Sequence, residues 1–172
     1  FKEDESLDLD AMAKSAEYAC QKLEGHEGAI MIAGSTSEFY AMTDDESLKM
    51  IDTVVKTVNG RVPVIAGTGR AATRLTIDMS RKAEALGVDC LLVSNPYYMQ
   101  VTEEGLYRHF AAVAESVNIG VMIYNNPSTS KMFTPPNVIA RLSKIPNIIA
   151  SKEIATTIEK YYWMKPETNP AE

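Results

Sequence analysis

Apolar residues follow two patterns along the chain, a helical repeat and short continuous runs. The repeat predicts amphipathic helices over 8–23, 43–58, 71–86, 102–116 and 134–143. The continuous runs predict strands over 29–33, 62–66, 90–94, 120–124 and from 148 onward. Such runs are typical of parallel sheets, whose strands are buried on both faces. The chain is therefore expected to alternate helices with strands.

Polar residues and glycines mark the expected helix ends. Thr43, with Glu46 three residues later, has the pattern of a capping box. Thr102 and Thr134 are the predicted N-caps of two later helices. Gly87 is predicted to end the helix over 71–86 as a C-terminal cap. These residues support the element boundaries that the apolar pattern predicts.

The predicted strands begin at 29, 62, 90, 120 and 148, about 30 residues apart, which predicts βαβ units and a parallel α/β sheet. The period fits both a closed barrel and an open doubly wound sheet. Polar residues follow most strands, namely Ser35, Thr36, Thr68, Tyr97, Tyr98, Tyr124 and Lys152. In a barrel, residues from several strand ends converge on one mouth, so this pattern favours a (β/α)8 TIM barrel.

Five strands do not close an eight-stranded barrel. We therefore interpret the chain as an incomplete barrel that forms one partial domain over residues 1–172. The segment 154–172 shows no further strand and helix unit, and it is treated as an uncertain tail.

Composition and charge narrow the function further. The chain is 45% hydrophobic and 23% charged, as is typical of globular proteins. No run approaches the roughly 18 apolar residues of a membrane span, and the first residues show no signal-peptide pattern, so a cytoplasmic protein is expected. The net charge of -6 argues against nucleic acid as a partner, because phosphate binding needs a concentrated basic surface.

The cysteines and histidines show no metal-binding spacing. Cys20 and Cys90 are expected to be buried, reduced thiols. The two histidines, His26 and His109, belong to no zinc motif. The sequence therefore predicts no metal site.

Five motifs in order carry a resemblance to a known family: GSTSE at 34–38, VPVIAGTG at 62–69, PYY at 96–98, YNNP at 124–127 and KE at 152–153. By these motifs the sequence resembles the pyruvate-dependent class I aldolases, a family that includes dihydrodipicolinate synthase and N-acetylneuraminate lyase. The resemblance implies a (β/α)8 barrel and a reaction without a metal or an organic cofactor. It also places the first residue just after the first strand of the barrel, which implies that the chain is a partial catalytic domain with about strands 2–6.

The resemblance implies that Lys152 is the amine that forms a Schiff base with pyruvate. An ordinary lysine, with a pKa of about 10.4, is almost wholly protonated at pH 7, so burial at a strand end would favour the neutral nucleophile. From its position alone, Lys152 could equally be a lysine paired with Glu153.

The resemblance assigns the other predicted site residues. Tyr124 matches the tyrosine that relays protons to and from the substrate, and Ser35 matches the hydroxyl beside it. Tyr98 matches a residue that completes the relay from a neighbouring subunit, which implies a homodimer or homotetramer. Ser35 and Thr36 match the pair that binds the pyruvate carboxylate, although as residues alone they could also cap the following segment.

Two positions depart from the family pattern. Ser37 replaces a glycine, and it would strain the loop if the position required a positive φ. Thr129 stands where dihydrodipicolinate synthases usually carry an arginine for the carboxylate of the aldehyde substrate. Thr129 therefore argues against aspartate semialdehyde as the aldehyde, and the expected substrate is a 2-keto-3-deoxy sugar acid, which is made from, or cleaved to, pyruvate and an aldehyde.

The expected function is a Schiff-base lyase or aldolase that makes or breaks a carbon–carbon bond between pyruvate and an aldehyde. The alternatives are dihydrodipicolinate synthase, with aspartate semialdehyde as substrate, and a catalytically inactive barrel that acts as a binding module. A further alternative is an NAD(P)-binding oxidoreductase, because residues 67–72 fit a G-x-G-x-x-A pattern. Asp89 lies at the distance of the required acidic residue, but it precedes a strand rather than ending one.

Overall fold

Helices and strands alternate along the described part of the chain as predicted, except that two helices rather than one lie between the fourth and fifth strands. The structure, a computed structural model, describes residues 1–154, so residues 155–172 of the predicted tail lie outside it. The helices are α1 (Leu9–Leu23), α2 (Asp44–Val58), α3 (Thr73–Ala85), α4 (Glu103–Glu115), α5 (Pro127–Ser130) and α6 (Pro136–Leu142). The strands are β1 (Ile30–Ile32), β2 (Val64–Gly67), β3 (Cys90–Ser94), β4 (Gly120–Asn125) and β5 (Ile148–Glu153). Two short 3₁₀ turns, Ser35–Ser37 and Phe39–Ala41, follow β1.

The predicted caps of α2 and α4 are confirmed. Thr43 accepts a hydrogen bond from the Glu46 amide at 3.2 Å, and the Glu46 carboxylate accepts one from the Thr43 amide at 2.8 Å. Thr102 Oγ1 accepts from the Gly105 amide at 3.1 Å. Gly87, just beyond α3, has a φ of +89°, which suits a glycine at a helix C-terminus.

The prediction that Thr134 caps a helix was wrong. α6 begins at Pro136 with Pro135 as its N-cap, and no side chain caps it. The hydroxyl of Thr134 instead donates to Asn95 Oδ1 at 2.7 Å. Thr134 is fully buried, so a long-range partner takes the hydroxyl that local sequence would assign to the helix.

The strands follow chain order in the sheet, β1-β2-β3-β4-β5. The chain divides into two compact units, one of residues 1–67 and 82–91 and the other of residues 68–81 and 92 onward. In the first unit β1 pairs in parallel with β2, with Ile30 opposite Val64 and Ile32 opposite Ala66. The buried side of α2 contributes Met50, Ile51, Val54 and Val58 to the core of this unit. Cys20 and Cys90 are buried free thiols, as predicted.

The second unit has its own core and carries the end of the predicted catalytic strand. Its largest fully buried side chains are Phe110, Met79, Leu106, Ile123 and Leu142, together with Val93 and Val113. β4 pairs in parallel with β5. Within residues 1–154, the helices are all too short or too polar to cross a membrane.

The pairing of β4 with β5 contains a bulge that decides which side chains meet. Val121 lies opposite Ile148, but Met122 lies opposite Ala150, so Ile149 is the extra residue. The shift places Lys152 opposite Tyr124 and Glu153 opposite Asn125. Because side chains alternate between the two faces of a strand, an unshifted pairing would have placed Ser151 opposite Tyr124.

Candidate active site

Lys152 and Tyr124 lie together at the carboxyl ends of neighbouring strands. They are paired residues of β5 and β4, and Lys152 Nζ lies 4.6 Å from the centre of the Tyr124 ring. Tyr124 is buried, with 8% of its surface exposed, while Lys152 is half-buried. The structure therefore brings the predicted amine nucleophile and the predicted proton relay into direct contact.

Asn126 is a hydrogen-bond partner of the Tyr124 hydroxyl. Its Nδ2 donates to the Tyr124 oxygen at 2.8 Å. Its Oδ1 accepts from Ser128 Oγ at 2.6 Å. Asn126 is 7% exposed, so both ends of its amide are used inside the protein. In this bond the Tyr124 oxygen is the acceptor, so the bond does not use the hydroxyl proton that a relay would transfer.

On the other face of β4 and β5, near the carboxyl ends of both strands, hydrogen bonds join the two strands. Asn125 Nδ2 donates to Glu153 Oε2 at 2.8 Å, and Ser151 Oγ donates to the other oxygen of that carboxylate. The Ile154 amide donates to the Asn125 carbonyl at 3.0 Å. These bonds keep the register in which Lys152 lies opposite Tyr124.

A buried polar network extends from Asn125 to the preceding strand. Asn125 exchanges two hydrogen bonds with the backbone of Thr134, at 2.9 and 3.0 Å. Thr134 in turn donates to Asn95, whose Nδ2 donates to the Met132 carbonyl at 3.1 Å. A satisfied buried network of this kind keeps the ends of β3 and β4 rigid.

Tyr98 lies in the loop after β3, and 90% of its surface is exposed. Its φ of 82° is unusual for a residue other than glycine. Nearby, Gln100 Nε2 donates to the Lys131 carbonyl at 3.0 Å and ties this loop to the segment after β4. The predicted contribution of Tyr98 to a neighbouring subunit stays a prediction.

Ser35 and Thr36 belong to the first unit, where they form the 3₁₀ turn after β1. Ser35 is half-buried and Thr36 is exposed. The Ser37 amide donates to the Gly34 carbonyl at 3.0 Å. The positive φ values near this turn occur at Ala33 and Glu38 rather than at Ser37. The expected strain from serine in place of glycine is therefore absent at Ser37.

The glycines of the G-x-G-x-x-A pattern have a packing role. A Cβ on Gly67 would lie 2.0 Å from the Ala33 carbonyl oxygen, and one on Gly69 would lie 2.2 Å from Ser94 Oγ. Asp89 accepts a hydrogen bond from the Val64 amide at 2.8 Å, at the beginning of β2. A ribose-binding carboxylate belongs at the carboxyl end of the strands, so this position argues against a dinucleotide site.

His109 is a buried neutral histidine. Burial lowers the pKa of His109 to about 4. Its Nδ1 lies 3.0 Å from Thr73 Oγ1, which links α4 to α3. Within the described residues, His, Cys, Asp and Glu side chains form no group of three or more that could bind a metal ion.

Sequence reasoning missed Asn126 and the Asn125–Glu153 pair. A signal for Asn126 was present, because it lies two residues after Tyr124 within the YNNP motif. Asn125 and Glu153 are separated by 28 residues, so their bond could not be read from either local motif.

Comparison with known proteins connects this geometry to a family. The family model described as the dihydrodipicolinate synthetase family matches residues 1–171. A 4-hydroxy-tetrahydrodipicolinate synthase of Bacillus velezensis is 41% identical over 137 residues, which are 80% of this chain and 47% of that protein. The chain thus spans about half the length of the curated relatives that it matches.

Two solved structures with bound pyruvate are similar to this chain. The chloride-inhibited dihydrodipicolinate synthase of Acinetobacter baumannii, complexed with pyruvate, has a TM-score of 0.92 and 30% identity, and the match covers 98% of this chain and 57% of that one. YagE, a prophage protein of E. coli K12 in complex with pyruvate, has a TM-score of 0.91 and 31% identity, covering 99% and 57%. These matches confirm the predicted TIM-barrel fold, present here in part.

Proposed function

Because this chain belongs to the dihydrodipicolinate synthetase family, we propose that the complete protein is a class I aldolase that joins pyruvate to an aldehyde through a Schiff base on Lys152. The observation that carries the proposal is the contact of Lys152 Nζ with the Tyr124 ring, at 4.6 Å, between paired residues of two strands. The similarity to two pyruvate complexes supports pyruvate as the first substrate.

The proposed chemistry uses Lys152 as nucleophile and Tyr124 as acid and base. The neutral amine of Lys152 attacks the keto carbon of pyruvate, and the oxygen leaves as water once it has been protonated, with Tyr124 as the donor. Loss of a proton from the methyl carbon then gives an enamine. The enamine carbon attacks the aldehyde carbon, whose oxygen takes up a proton, and water releases the product from Lys152.

Ser35, Thr36 and Tyr98 complete the proposal. Their hydroxyl groups suit the carboxylate binding and proton transfer that the family resemblance assigns to them. The complete protein is proposed to form at least a homodimer, in which the exposed Tyr98 ring contributes to a neighbouring subunit. Sedimentation of wild type and Tyr98→Ala would test this: a monomeric wild type contradicts it.

Borohydride trapping tests the role of Lys152 directly. The complete protein is incubated with pyruvate and borohydride, and the reduced adduct is located by peptide mapping. We expect an adduct on Lys152 in the wild type and none in Lys152→Arg, which keeps the positive charge but is not a nucleophile at neutral pH. Lys144→Arg is the matched control, because Lys144 is an exposed lysine of the same unit. A folded wild type without an adduct, or with its adduct on another lysine, contradicts the proposal.

For the second substrate we propose aspartate semialdehyde. Curated relatives that are 38–42% identical to this chain carry the name 4-hydroxy-tetrahydrodipicolinate synthase, which favours this substrate over the sugar acid expected from sequence. Steady-state assays with pyruvate and aspartate semialdehyde test the choice. A kcat/KM at least about tenfold higher with a 2-keto-3-deoxy sugar acid would contradict it.

One observation favours the sugar acid as a second candidate. Thr129 is exposed, and its hydroxyl donates to the Asn126 carbonyl at 3.2 Å, so this position offers a neutral group rather than a guanidinium. A guanidinium binds a carboxylate in a bidentate manner, whereas a hydroxyl suits a polyol. The same pair of assays therefore decides between the two candidates.

A further inference from the structure

The Asn126 side chain has the burial and contacts of a group that acts on Tyr124. It is 7% exposed, and its amide lies between two hydroxyl groups, that of Tyr124 at 2.8 Å and that of Ser128 at 2.6 Å. An amide is costly to bury unless both of its ends are hydrogen bonded. Here both are, and one of the partners is the proposed proton relay.

The side chain of Asn126 is not needed as a helix cap. Asn126 is the N-cap of α5, yet no side-chain hydrogen bond caps that helix. The turn is closed by the Asn126 carbonyl, which accepts from the Ser130 amide at 3.0 Å and from Ser130 Oγ at 2.9 Å. The backbone at this position can therefore hold the turn while the side chain is changed.

We propose that Asn126 is a positioning residue for Tyr124: its amide donates to the phenolic oxygen, aims the hydroxyl proton away from itself, and stabilises that oxygen when the proton has moved. This inference rests on the proposed aldolase function. A hydrogen bond to an oxygen that becomes charged is stronger than one to a neutral oxygen, so it contributes more during proton transfer than before it.

Ser128 bonds to the far end of the Asn126 amide. Its hydroxyl donates to Asn126 Oδ1 while Nδ2 of the same amide donates to Tyr124. The charged group that contacts Tyr124 from the neighbouring strand is Lys152, with Nζ 4.6 Å from the ring. Tyr124 thus contacts Asn126 through its hydroxyl and Lys152 through its ring.

Two variants separate the positioning role from a structural one. Asn126→Asp keeps the shape and still accepts from Ser128, but it removes the donor to Tyr124. Ser128→Ala removes the bond to Oδ1 and keeps that donor. We expect Asn126→Asp to lower kcat by about 10- to 100-fold, within the range typical for an acid–base contribution, with a change in the KM for pyruvate below about threefold. Ser128→Ala should lower kcat by less than about fivefold.

The experiment measures kcat and KM of the complete protein, the melting temperature and the borohydride adduct for each variant. Asn137→Ala, which removes an exposed asparagine bonded to Glu103, is the control expected to match the wild type. The inference is overturned if Asn126→Asp keeps its kcat within twofold, or if Ser128→Ala loses as much as Asn126→Asp. A wild type without adduct or turnover instead overturns the proposed function, so the two failures are distinguishable.

Discussion

The two faces of the β4 and β5 ends differ in what their side chains do. One face, which we call the reactive face after the proposed chemistry, carries Tyr124 and Lys152; Asn126, just beyond β4, bonds to the Tyr124 hydroxyl. The other, which we call the supporting face, carries Asn125, Ser151 and Glu153, which are joined by hydrogen bonds. Residues that alternate in sequence thus lie on different faces, since successive side chains of a strand point to opposite faces.

Lys152 and Tyr124 act as a pair in the proposed reaction, and a separate set of residues aligns them. Both lie near the carboxyl ends of two paired strands. The Asn125–Glu153 bond and the bond between the Ile154 amide and the Asn125 carbonyl lie at the same level on the chain. The supporting face therefore keeps Lys152 aligned with Tyr124, and it has no assigned part in the proposed reaction.

The largest expected effect comes from the reactive face. Tyr124→Phe removes the hydroxyl and should lower kcat by about 10²- to 10⁴-fold, because an acid–base group in the transition state contributes that much. Since Lys152 is retained, the pyruvate adduct should still form, more slowly. Steady-state kinetics and borohydride trapping measure the two effects. A kcat within tenfold of wild type would show that another group transfers the proton, and the reactive face would lose its defining member.

Measuring stability against pH tests whether His109 of α4, which belongs to neither face, makes folding sensitive to acid. The pKa of buried His109 is lowered to about 4 from its ordinary 6.5, so between these values the unfolded chain binds a proton that the folded chain does not. The free energy of unfolding should therefore fall as the pH is lowered from about 6.5 to about 4, by at most about 3 kcal/mol from this residue.

Urea unfolding across that pH range measures the fall. His109→Gln should flatten this part of the curve, while His26→Gln, which changes an exposed histidine, should keep it. An unchanged slope in His109→Gln would place the acid response elsewhere, with the carboxylate of the supporting face as the next group to test.

The smallest expected effect is that of the supporting face on stability. Asn125→Ala removes two hydrogen bonds to the buried backbone of Thr134 and one to Glu153 Oε2, which should cost about 2 kcal/mol in the free energy of unfolding. Its kcat should fall less than that of Tyr124→Phe. Asn137→Ala is the exposed control, expected to stay within about 0.5 kcal/mol of wild type. If Asn125→Ala lost activity as severely as Tyr124→Phe while keeping its stability, the division between the faces would be wrong.

Much of the fold followed from local pattern. The five strands, the capping box of Thr43 and the cap at Thr102 all depend on residues near one another in the chain, and the structure has each of them. Local pattern gave the wrong N-cap at Thr134. Its hydroxyl could cap a helix by the local rule, but a buried asparagine 39 residues away takes it.

The candidate site was also predictable only in part. Lys152 and Tyr124 could be named from motifs, and they end consecutive predicted strands. Asn126 could have been found from its spacing to Tyr124, whereas the link from Asn125 through Thr134 to Asn95 could not, because it joins residues from three separate segments.

Apolar periodicity and capping chemistry act within a few residues, so the amino-acid sequence specifies which elements form and which residue types follow the strands. The alignment of the strand ends depends instead on pairing in the folded protein. The bulge at Ile149 shifts β5 by one residue against β4, and that shift places Lys152, rather than Ser151, opposite Tyr124. The physical reason is that a strand repeats every two residues, so a single extra residue exchanges its two faces, and pairing between distant segments determines where that residue lies.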